Sequence, residues 1–300
     1  MTNPWTMKEG FLIGGGLIIV GLILESIVGP VVWEVFAWPV NGIVMAVFLA
    51  IIAVVFLLRK KVYAFRFIGT YQAAIPTLVY AVVLTIIMGL IRQEVSERGI
   101  SLSHMLTFWP FVLIYVYMAV ILGVVILRRV SQLRYHCSIS DMTFLLNHFG
   151  LFLAMTTATL GNADMQRLKM ITVIGEPEWR ALTQENTIRE MPLTIELKQF
   201  IMDTYDDGSP KRFASEIKIQ KQSGDTIHAT VDVNKPVEVD GWKIYQYGYD
   251  PQMGAMSQTS ILELVSDPWL PFVYTGIYMM LGGAICLFVW AKRQKLTINN

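Results

Sequence analysis

The sequence predicts a polytopic α-helical membrane protein of about six transmembrane helices, with an extracytoplasmic β-rich domain between helices five and six. Three observations predict this class: an apolar composition, six apolar blocks of membrane-spanning length, and Lys and Arg gathered in alternate loops. Of the 300 residues, 54% are hydrophobic and 16% are charged, whereas soluble domains usually carry about 25% charged residues. The net charge of +1 gives no case for nucleic-acid binding.

A helix that rises ~1.5 Å per residue needs about 20 residues to cross a ~30 Å hydrocarbon core. Six blocks of the chain are of about this length and are almost free of charged residues. They are Phe11–Val32, Val35–Leu58, Ala73–Ile91, Leu106–Leu127, Met142–Gly161 and Trp269–Trp290. The first block is expected to remain as an anchor, because no small-residue cleavage pattern follows it.

Basic residues predict the orientation, because they lie after blocks two, four and six. They are Arg59, Lys60, Lys61, Arg66, Arg128, Arg129, Arg134, Lys292, Arg293 and Lys295. Basic loops stay on the cytoplasmic side of a membrane. Both termini are therefore expected in the cytoplasm and residues 162–268 outside, in a bacterial cytoplasmic (inner) membrane.

Residues 162–268 alternate apolar and polar side chains, which is typical of half-buried strands. Strands are expected at Met191–Phe200, Phe213–Gln220, Thr226–Val233, Trp242–Tyr249 and Ser260–Val265. Turn residues such as Asp206-Asp207-Gly208 and Asp240-Gly241 separate them, so a small β-sandwich or open barrel is expected. The expected domains are a five-helix region at 1–161, the β-rich domain at 162–268, and a last helix with a cytoplasmic tail at 269–300.

Two ionisable residues lie inside apolar blocks, where charge is costly and a functional role is the default hypothesis. Glu25 is expected toward the outer surface, either partly solvated or paired with a helix. His148 stands in an apolar run, roughly 10 Å from Asp141 at helical rise. It is either a haem ligand through one ring nitrogen, with the other nitrogen donating to a carbonyl, or a structural histidine bonded to a helix.

A haem ligand also needs an apolar wall. Helical spacing places apolar residues on the His148 face, namely Phe144, Leu145, Leu151, Phe152 and Met155. One histidine is not a complete haem site, so the opposite ligand is expected from another chain. Whether Glu25, Arg128 or Arg129 meets haem propionates at the cytoplasmic entrance stays open.

The remaining candidates for chemistry are few. His104, His136 and His228 are expected to be solvated or structural. Neither Cys137 nor Cys286 lies in the β-rich domain, so a disulfide is not expected there. That domain has no Ser/His/Asp order, Cys-x-x-Cys motif or Walker loop, and self-contained catalysis in it is not expected.

One run of residues is similar to a known family. The run from Val233 to Asp250, with its Asn234-Lys235-Pro236 turn and its Tyr245-Gln246 pair, resembles the signature of the ResB (CcsB) family of cytochrome c biogenesis proteins. Residues 265–269 and a glycine in the last helix match as well, and Asn147–Phe152 resembles the haem-ligating helix of the fused synthases. The chain differs in having five helices before a short outer domain, where more familiar members have three before a larger one.

The resemblance implies a function. The family acts with a CcsA partner to move haem to the outer surface, where it is attached to the Cys-x-x-Cys-His motif of apocytochrome c. It implies that His148 is an axial ligand of a transient haem b, faced by a histidine of a separate CcsA-type protein. Apocytochrome c is then a partner, and thiol-reducing proteins act indirectly. The chain is expected to be a subunit of a holocytochrome c synthase (haem lyase) and not a catalyst alone.

Two alternatives stay open. The first is a non-catalytic assembly scaffold that docks apocytochrome c or CcsA without binding haem, in which His148 only braces the helices. The second is a small-molecule transporter, or the anchor of a quinone-linked enzyme. Internal repeats of broken helices, or more polar residues inside the membrane, would favour this second alternative. The sequence shows neither, so this alternative ranks last.

Overall fold

The computed structural model describes residues 4–91, 106–133, 138–207 and 209–298, with side chains up to residue 289. It divides into two compact units. The helical unit comprises Met1–Ala163 and Trp269–Asn300, and the sheet unit comprises Asp164–Pro268. Several residues singled out above lie outside the described part: His104, Arg134, His136, Cys137, Gly208, and the side chains of Trp290, Lys292, Arg293 and Lys295.

The described part of the helical unit contains seven α-helices. They are α1 (Met7–Val28), α2 (Val40–Leu58), α3 (Tyr63–Ile68), α4 (Tyr71–Leu90), α5 (Trp109–Leu133), α6 (Ile139–Gly161) and α7 (Leu270–Ile298). Six of them, all except the short α3, are long and apolar enough to cross a membrane. The prediction of a multi-pass protein with about six transmembrane helices is confirmed.

The helix boundaries differ from the predicted blocks by a few residues, and at the starts of α1 and α2 the reason is local. Helix α1 begins at Met7 and not at Phe11, because Thr6 and Glu9 form a capping box that satisfies the first amides. Helix α2 begins at Val40 and not at Val35, because a 3₁₀ turn and Pro39 precede it. Proline has no N–H and disfavours the helical conformation in the residue before it.

Helices α6 and α7 are in backbone contact through glycines. A Cβ atom at Gly276 would lie 2.5 Å from the carbonyl oxygen of Gly150 and 2.7 Å from the amide nitrogen of Ala154. Farther along, a Cβ at Gly283 would lie 2.4 Å from Nδ2 of Asn147. Small residues allow this close approach, which favours helix association where lipid gives no hydrophobic drive.

Glu25 holds the start of α5. Its side chain is 8% exposed, and Oε2 accepts a hydrogen bond from the backbone N–H of Trp109 (3.2 Å). The indole Nε1 of Trp109 in turn donates to the carbonyl of Gly29 (2.9 Å). A carboxylate at a helix N-terminus interacts favourably with the helix dipole, so Glu25 is the helix-paired glutamate, one of the two alternatives left open by the sequence.

Eight strands of the described sheet unit form one antiparallel sheet. They are β1 (Gln166–Val173), β2 (Pro177–Leu182), β3 (Ile188–Thr204), β4 (Pro210–Lys221), β5 (Thr226–Asp232), β6 (Val237–Val239), β7 (Trp242–Tyr249) and β8 (Thr259–Ser266). Their order is β5-β4-β3-β2-β1-β8-β7-β6. Strand β5 also contacts β6 and β7, so the sheet curls on itself.

The curled sheet encloses one hydrophobic core. Twelve of its side chains are at most 3% exposed: Leu168, Met170, Ala181, Leu193, Ile195, Leu197, Ile217, Ile219, Val231, Ile244, Leu262 and Leu264. They alternate along their strands with exposed residues, as a half-buried sheet requires. The first and last strands pair with each other, and Gln166 lies opposite Ser266. The chain therefore enters and leaves the sheet at neighbouring positions.

Gly276→Val tests the contact between α6 and α7. The valine Cβ would meet the backbone of α6, and over-packing of this kind costs roughly 1–3 kcal/mol. The matched control is Gly282→Val in the same helix, where no described atom lies within 4 Å of an added Cβ. Thermal unfolding of the purified chain in detergent should show a lower melting temperature for Gly276→Val only. Equal melting temperatures would contradict the close contact.

Candidate functional site

The N-terminal end of α6 is fixed by its own cap and by a neighbouring helix. The Ser138 hydroxyl accepts a hydrogen bond from the Asp141 amide (3.2 Å), and Asp141 Oδ2 accepts one from the Ser138 amide (2.9 Å). Asp141 Oδ1 also lies 2.7 Å from Nε of Arg129 in α5. This ion pair joins the end of α5 to the start of α6.

His148 lies farther along α6 with its two ring nitrogens in different environments. The ring is half-buried, and Nδ1 lies 2.9 Å from the carbonyl oxygen of Phe144. Because a carbonyl only accepts, Nδ1 is the donor, and in the neutral ring the lone pair is on Nε2. Among the described residues no hydrogen-bond partner of Nε2 is found. The imidazole also stacks on the Phe144 ring, with centroids 3.7 Å apart and planes at 18°.

The rotation of α6 sets the direction of this ring. The face of α6 formed by Asn147, Gly150 and Ala154 lies against α7. At about 3.6 residues per turn, His148 lies about a third of a turn away from that face. Phe152, one turn after His148, stacks on Phe48 of α2 (6.3 Å). His148 therefore points toward the α2 and α5 side of the bundle.

The predicted apolar wall is only partly available to a ligand. Leu145, Phe152 and Met155 pack into an interior cluster with α2 and α5, while Leu151 is 40% exposed and Phe144 covers one face of the imidazole. Helical periodicity shows which residues share a face, but it does not show which neighbouring helix fills that face. A planar ligand can reach Nε2 only from the exposed side.

The structure separates the residues considered for propionate contact. Glu25 caps the N-terminus of α5, whereas Arg128 and Arg129 lie near its C-terminus. Helix α5 has 25 residues and is therefore about 37 Å long, so Glu25 cannot act at the same end as the two arginines. Arg129 is already paired with Asp141, which leaves Arg128 as the guanidinium that could meet an anion.

A large apolar cavity lies at the end of the bundle where α5 begins. Its volume is about 850 Å³, and its lining comes from the 3₁₀ turn after α1 and from α4, α5 and α6: Trp33, Glu34, Met88, Gly89, Ile91, Leu106, Thr107, Phe111, Val112, Tyr115, Val116, Ala158, Thr159 and Asn162. Cavities of ~300–1,000 Å³ bind small molecules and cofactors. His148 does not line it.

Other candidates for chemistry do not come together. His228 is exposed on β5, opposite Lys218 of β4, and Cys286 is a free, exposed thiol on α7. Within the described ranges no group of three or more His, Cys, Asp or Glu side chains could hold a metal ion.

Two carboxylates of the sheet unit are held in the ionised form. A side-chain hydrogen bond from Arg180 lowers the pKa of Glu178. A hydrogen bond from Lys198 lowers the pKa of Glu196 in the same way. A general acid at neutral pH needs a raised pKa, so Glu178 and Glu196 are surface ion-pair partners and not proton donors.

Gln246, from the Tyr245-Gln246 pair, has a structural role that the sequence did not predict. Gln246 Oε1 accepts from the hydroxyl of Ser215 (2.7 Å), and Nε2 donates to the carbonyl of Gly248 (2.9 Å) and to the hydroxyl of Ser260 (3.0 Å). Both serines are 0% exposed. The register of β7 against β8 shifts between Gln246 and Gly248, so Gln246 braces a bulge from inside the sheet.

Comparison with known proteins agrees with the resemblance. Residues 137–260 match the ResB-like family, which confirms that resemblance over α6 and most of the sheet unit. A cytochrome c biogenesis protein CcsB from Prochlorococcus marinus subsp. pastoris is 28% identical over 135 residues, 45% of this chain and 31% of that protein. The chain thus spans about a third of the length of this curated relative.

A solved structure with partial similarity is the cytochrome c heme lyase CcmF. Its alignment covers 95% of this chain and 46% of that chain, with a TM-score of 0.39 and 13% identity. The chain thus spans less than half of that structure.

Gln246→Leu tests the bracing of the sheet. The substitution removes the amide's hydrogen bonds to Ser215, Gly248 and Ser260, while the two serine hydroxyls keep their bond to each other (2.7 Å). Each lost hydrogen bond costs about 0.5–1.5 kcal/mol. Hydrogen–deuterium exchange of the whole chain in detergent should become faster in β4, β7 and β8. Gln220→Leu, at an exposed position of β4, is the matched control. Equal exchange in the two variants would show that Gln246 does not support the bulge.

Proposed function

We propose that this chain, which is ResB-like over residues 137–260, is a subunit of a membrane cytochrome c synthase. In this role it carries haem b to the outer face of the membrane and supports covalent attachment of the haem to apocytochrome c. The observation that carries the proposal is the hydrogen bond from His148 Nδ1 to the Phe144 carbonyl (2.9 Å). That bond directs the lone pair to Nε2, the form in which histidine ligates haem iron.

The proposed location is a bacterial cytoplasmic membrane, with both termini in the cytoplasm and residues 162–268 outside. The support is the distribution of cations at the ends of the helices. Arg59 and Lys60 follow α2, Arg66 lies in α3 and Arg128 lies near the end of α5, and all four line one cavity. They are therefore at one end of the bundle, and the positive-inside rule assigns that end to the cytoplasm.

In the proposed complex, His148 supplies one axial ligand to the haem that is carried as cargo. The Phe144 carbonyl keeps the imidazole in one tautomer and one orientation, and the Phe144 ring covers one of its faces. Interior packing of Leu145 and Phe152 closes the side toward α2 and α5. His148 is half-buried, and in the proposed complex a second protein provides the facing ligand.

The apolar cavity supports a direction of movement. Thr159, in its lining, lies eleven residues after His148 and on the same stripe of α6, about 16 Å away along the helix axis. In the proposed orientation this cavity is on the outer side of His148. An apolar cargo leaving His148 along this face of α6 would reach it next.

The proposed partners follow from the incomplete site. A CcsA-type membrane protein supplies the second axial ligand, because His148 is a single imidazole. Apocytochrome c is the acceptor of the haem, and thiol-reducing proteins keep its cysteines available. Each of the two thiols of apocytochrome c would add across a haem vinyl C=C bond, with sulfur bonding to one carbon and the proton going to the other. This chain would support and orient the reactants, and no catalytic residue is assigned to it.

His148→Ala tests the haem role. The complex purified with its partner should lose haem absorbance, about 10-fold or more, since loss even of an outer-shell partner of a metal ligand costs about that much affinity. Added imidazole should restore the absorbance by occupying the space left by the ring. His228→Ala, on the exposed face of β5, is the matched control. Unchanged haem content in His148→Ala would contradict ligation by this residue.

A second candidate function is a scaffold that docks apocytochrome c without binding haem. Strand β5 (Thr226–Asp232) favours it, because β5 lies at an edge of the sheet and its ladder is with β4. Its last residue, Asp232, also forms a single bridge to Lys235. An extended peptide can add to such an edge through backbone hydrogen bonds. The opposite edge, β6 (Val237–Val239), has only 3 residues and offers less backbone.

Photo-crosslinking from single positions tests strand addition. A photoreactive amino acid at Thr230, exposed on β5, should form an adduct with an apocytochrome c peptide containing Cys-x-x-Cys-His. The same amino acid at Lys169, exposed on the interior strand β1, should give several-fold less, because Leu182 of β2 and Glu263 of β8 already pair with that position on its two sides. Adduct formation is measured by mass spectrometry on the whole chain. Equal adducts at both positions would exclude docking at the β5 edge.

A further inference from the structure

A second cavity lies at the end of the bundle opposite the apolar one. Its volume is about 420 Å³, and it is lined by Arg59, Lys60, Phe65, Arg66, Gly69, Thr70, Val124 and Arg128. Four of these eight residues are cations, and none is an acid. They come from the segment after α2, from α3 and from α5, so the charge concentration arises only in the folded bundle.

The four cations are not neutralised by the protein. Among the described residues none of them forms an ion pair with a carboxylate, whereas the neighbouring Arg129 does, with Asp141. Arg59 donates to the Phe56 carbonyl, and Arg128 donates to the Gly69 carbonyl (3.2 Å). A guanidinium has five N–H donors, so most donors remain for a ligand.

The backbone beside the cavity adds positive potential. Thr70 occupies the N-cap of α4 without a side-chain hydrogen bond to the helix, and its hydroxyl donates to the Phe67 carbonyl (2.6 Å). The N-terminus of this 20-residue helix is therefore open to an anion, and the helix dipole favours negative charge there. A compact anion with several acceptor oxygens fits this combination of cations and helix end.

We propose that this cavity binds the phosphate of an anionic phospholipid headgroup. The cavity lies where three membrane-spanning helices end or begin, which is the depth of lipid headgroups. Apolar side chains beside it are exposed as acyl chains would require: Leu57 at 69%, Tyr71 at 64% and Ile75 at 41%. A soluble anion would gain no binding energy from these apolar side chains. A phospholipid would contact both the cations, through its phosphate, and the apolar side chains, through its acyl chains.

The positive-inside rule alone does not account for this arrangement. That rule requires cations on the cytoplasmic side but places no condition on where they lie relative to one another. Lys61 is in the same loop and is exposed, yet it does not line the cavity. Lys61 therefore serves as a control that has the same charge and the same side of the membrane but lacks the cavity.

The test uses the full chain in nanodiscs of equal parts phosphatidylglycerol and phosphatidylcholine, and native mass spectrometry counts the phosphatidylglycerol retained after transfer to detergent. A hydrogen bond to a charged group contributes about tenfold or more in affinity, so Arg66→Gln/Arg128→Gln should lower retention about 100-fold. Lys61→Gln removes only a surface charge and should lower it no more than about fivefold. Arg66→Lys/Arg128→Lys keeps the charge and should retain more lipid than the Gln variant, which separates loss of charge from misfolding.

Three results would overturn the proposal. Equal loss of phosphatidylglycerol in Lys61→Gln would indicate diffuse surface charge without a site. Displacement of the lipid by inorganic phosphate at the same concentration would assign the cavity to a soluble anion. A fall in haem content in Arg66→Gln/Arg128→Gln, with lipid retention unchanged, would assign it to haem propionates. Haem binding at His148 is judged separately, from His148→Ala, so either proposal can fail alone.

Discussion

The fixed rotation of α6 about its own axis is the constraint on which the site depends. On one side, glycines bring the backbones of α6 and α7 into contact, so that a Cβ at Gly276 would lie 2.5 Å from the Gly150 carbonyl oxygen. At the N-terminal end, Asp141 holds Arg129 of α5 (2.7 Å). A helix held by a backbone contact and an ion pair cannot turn freely. The position of His148 relative to α5 and α7 is therefore fixed, as a preorganised site requires.

Helix α5 joins the two ends of the bundle electrostatically. At its N-terminus the buried carboxylate of Glu25 accepts from the Trp109 amide, and near its C-terminus lie Arg128 and Arg129. Both arrangements complement the helix dipole. The two ends nevertheless differ in what they leave for a ligand, because Glu25 and Arg129 are satisfied by the protein while Arg128 faces a cavity that contains no acid.

Hydropathy predicted the spanning helices because membrane burial needs long apolar blocks, and strand alternation predicted five of the strands. The missed elements are those in which local sequence is ambiguous. Helix α3 has only 6 residues, and the buried positions of β1 include only two apolar residues, Leu168 and Met170, because the third is Thr172. Each is defined by tertiary contacts, which override weak local patterns.

The candidate site was predictable only in part, for a similar reason. The sequence showed that His148 is an imidazole in an apolar helix, and the structure added its tautomer through Phe144, four residues away in the same helix. The partner of Glu25 is 84 residues distant in sequence, so no local pattern could indicate it. The predicted apolar wall is only partly free for a ligand, because Leu145, Phe152 and Met155 pack against α2 and α5. Helical periodicity does not specify which helix packs against a given face.

The chemistry of the helical unit changes along the bundle axis. One end holds a cavity of about 420 Å³ with four cations, and the other holds an apolar cavity of about 850 Å³, with His148 on α6 between them. Haem carries two anionic propionates on an otherwise apolar ring, so the cationic end would retain haem by its charged edge. If lipid phosphate occupies that end, as proposed, the propionates are excluded from it. In the proposed function, haem released from His148 would then move toward the apolar cavity and not back to the cationic one. Bound lipid would therefore favour movement toward the outer side.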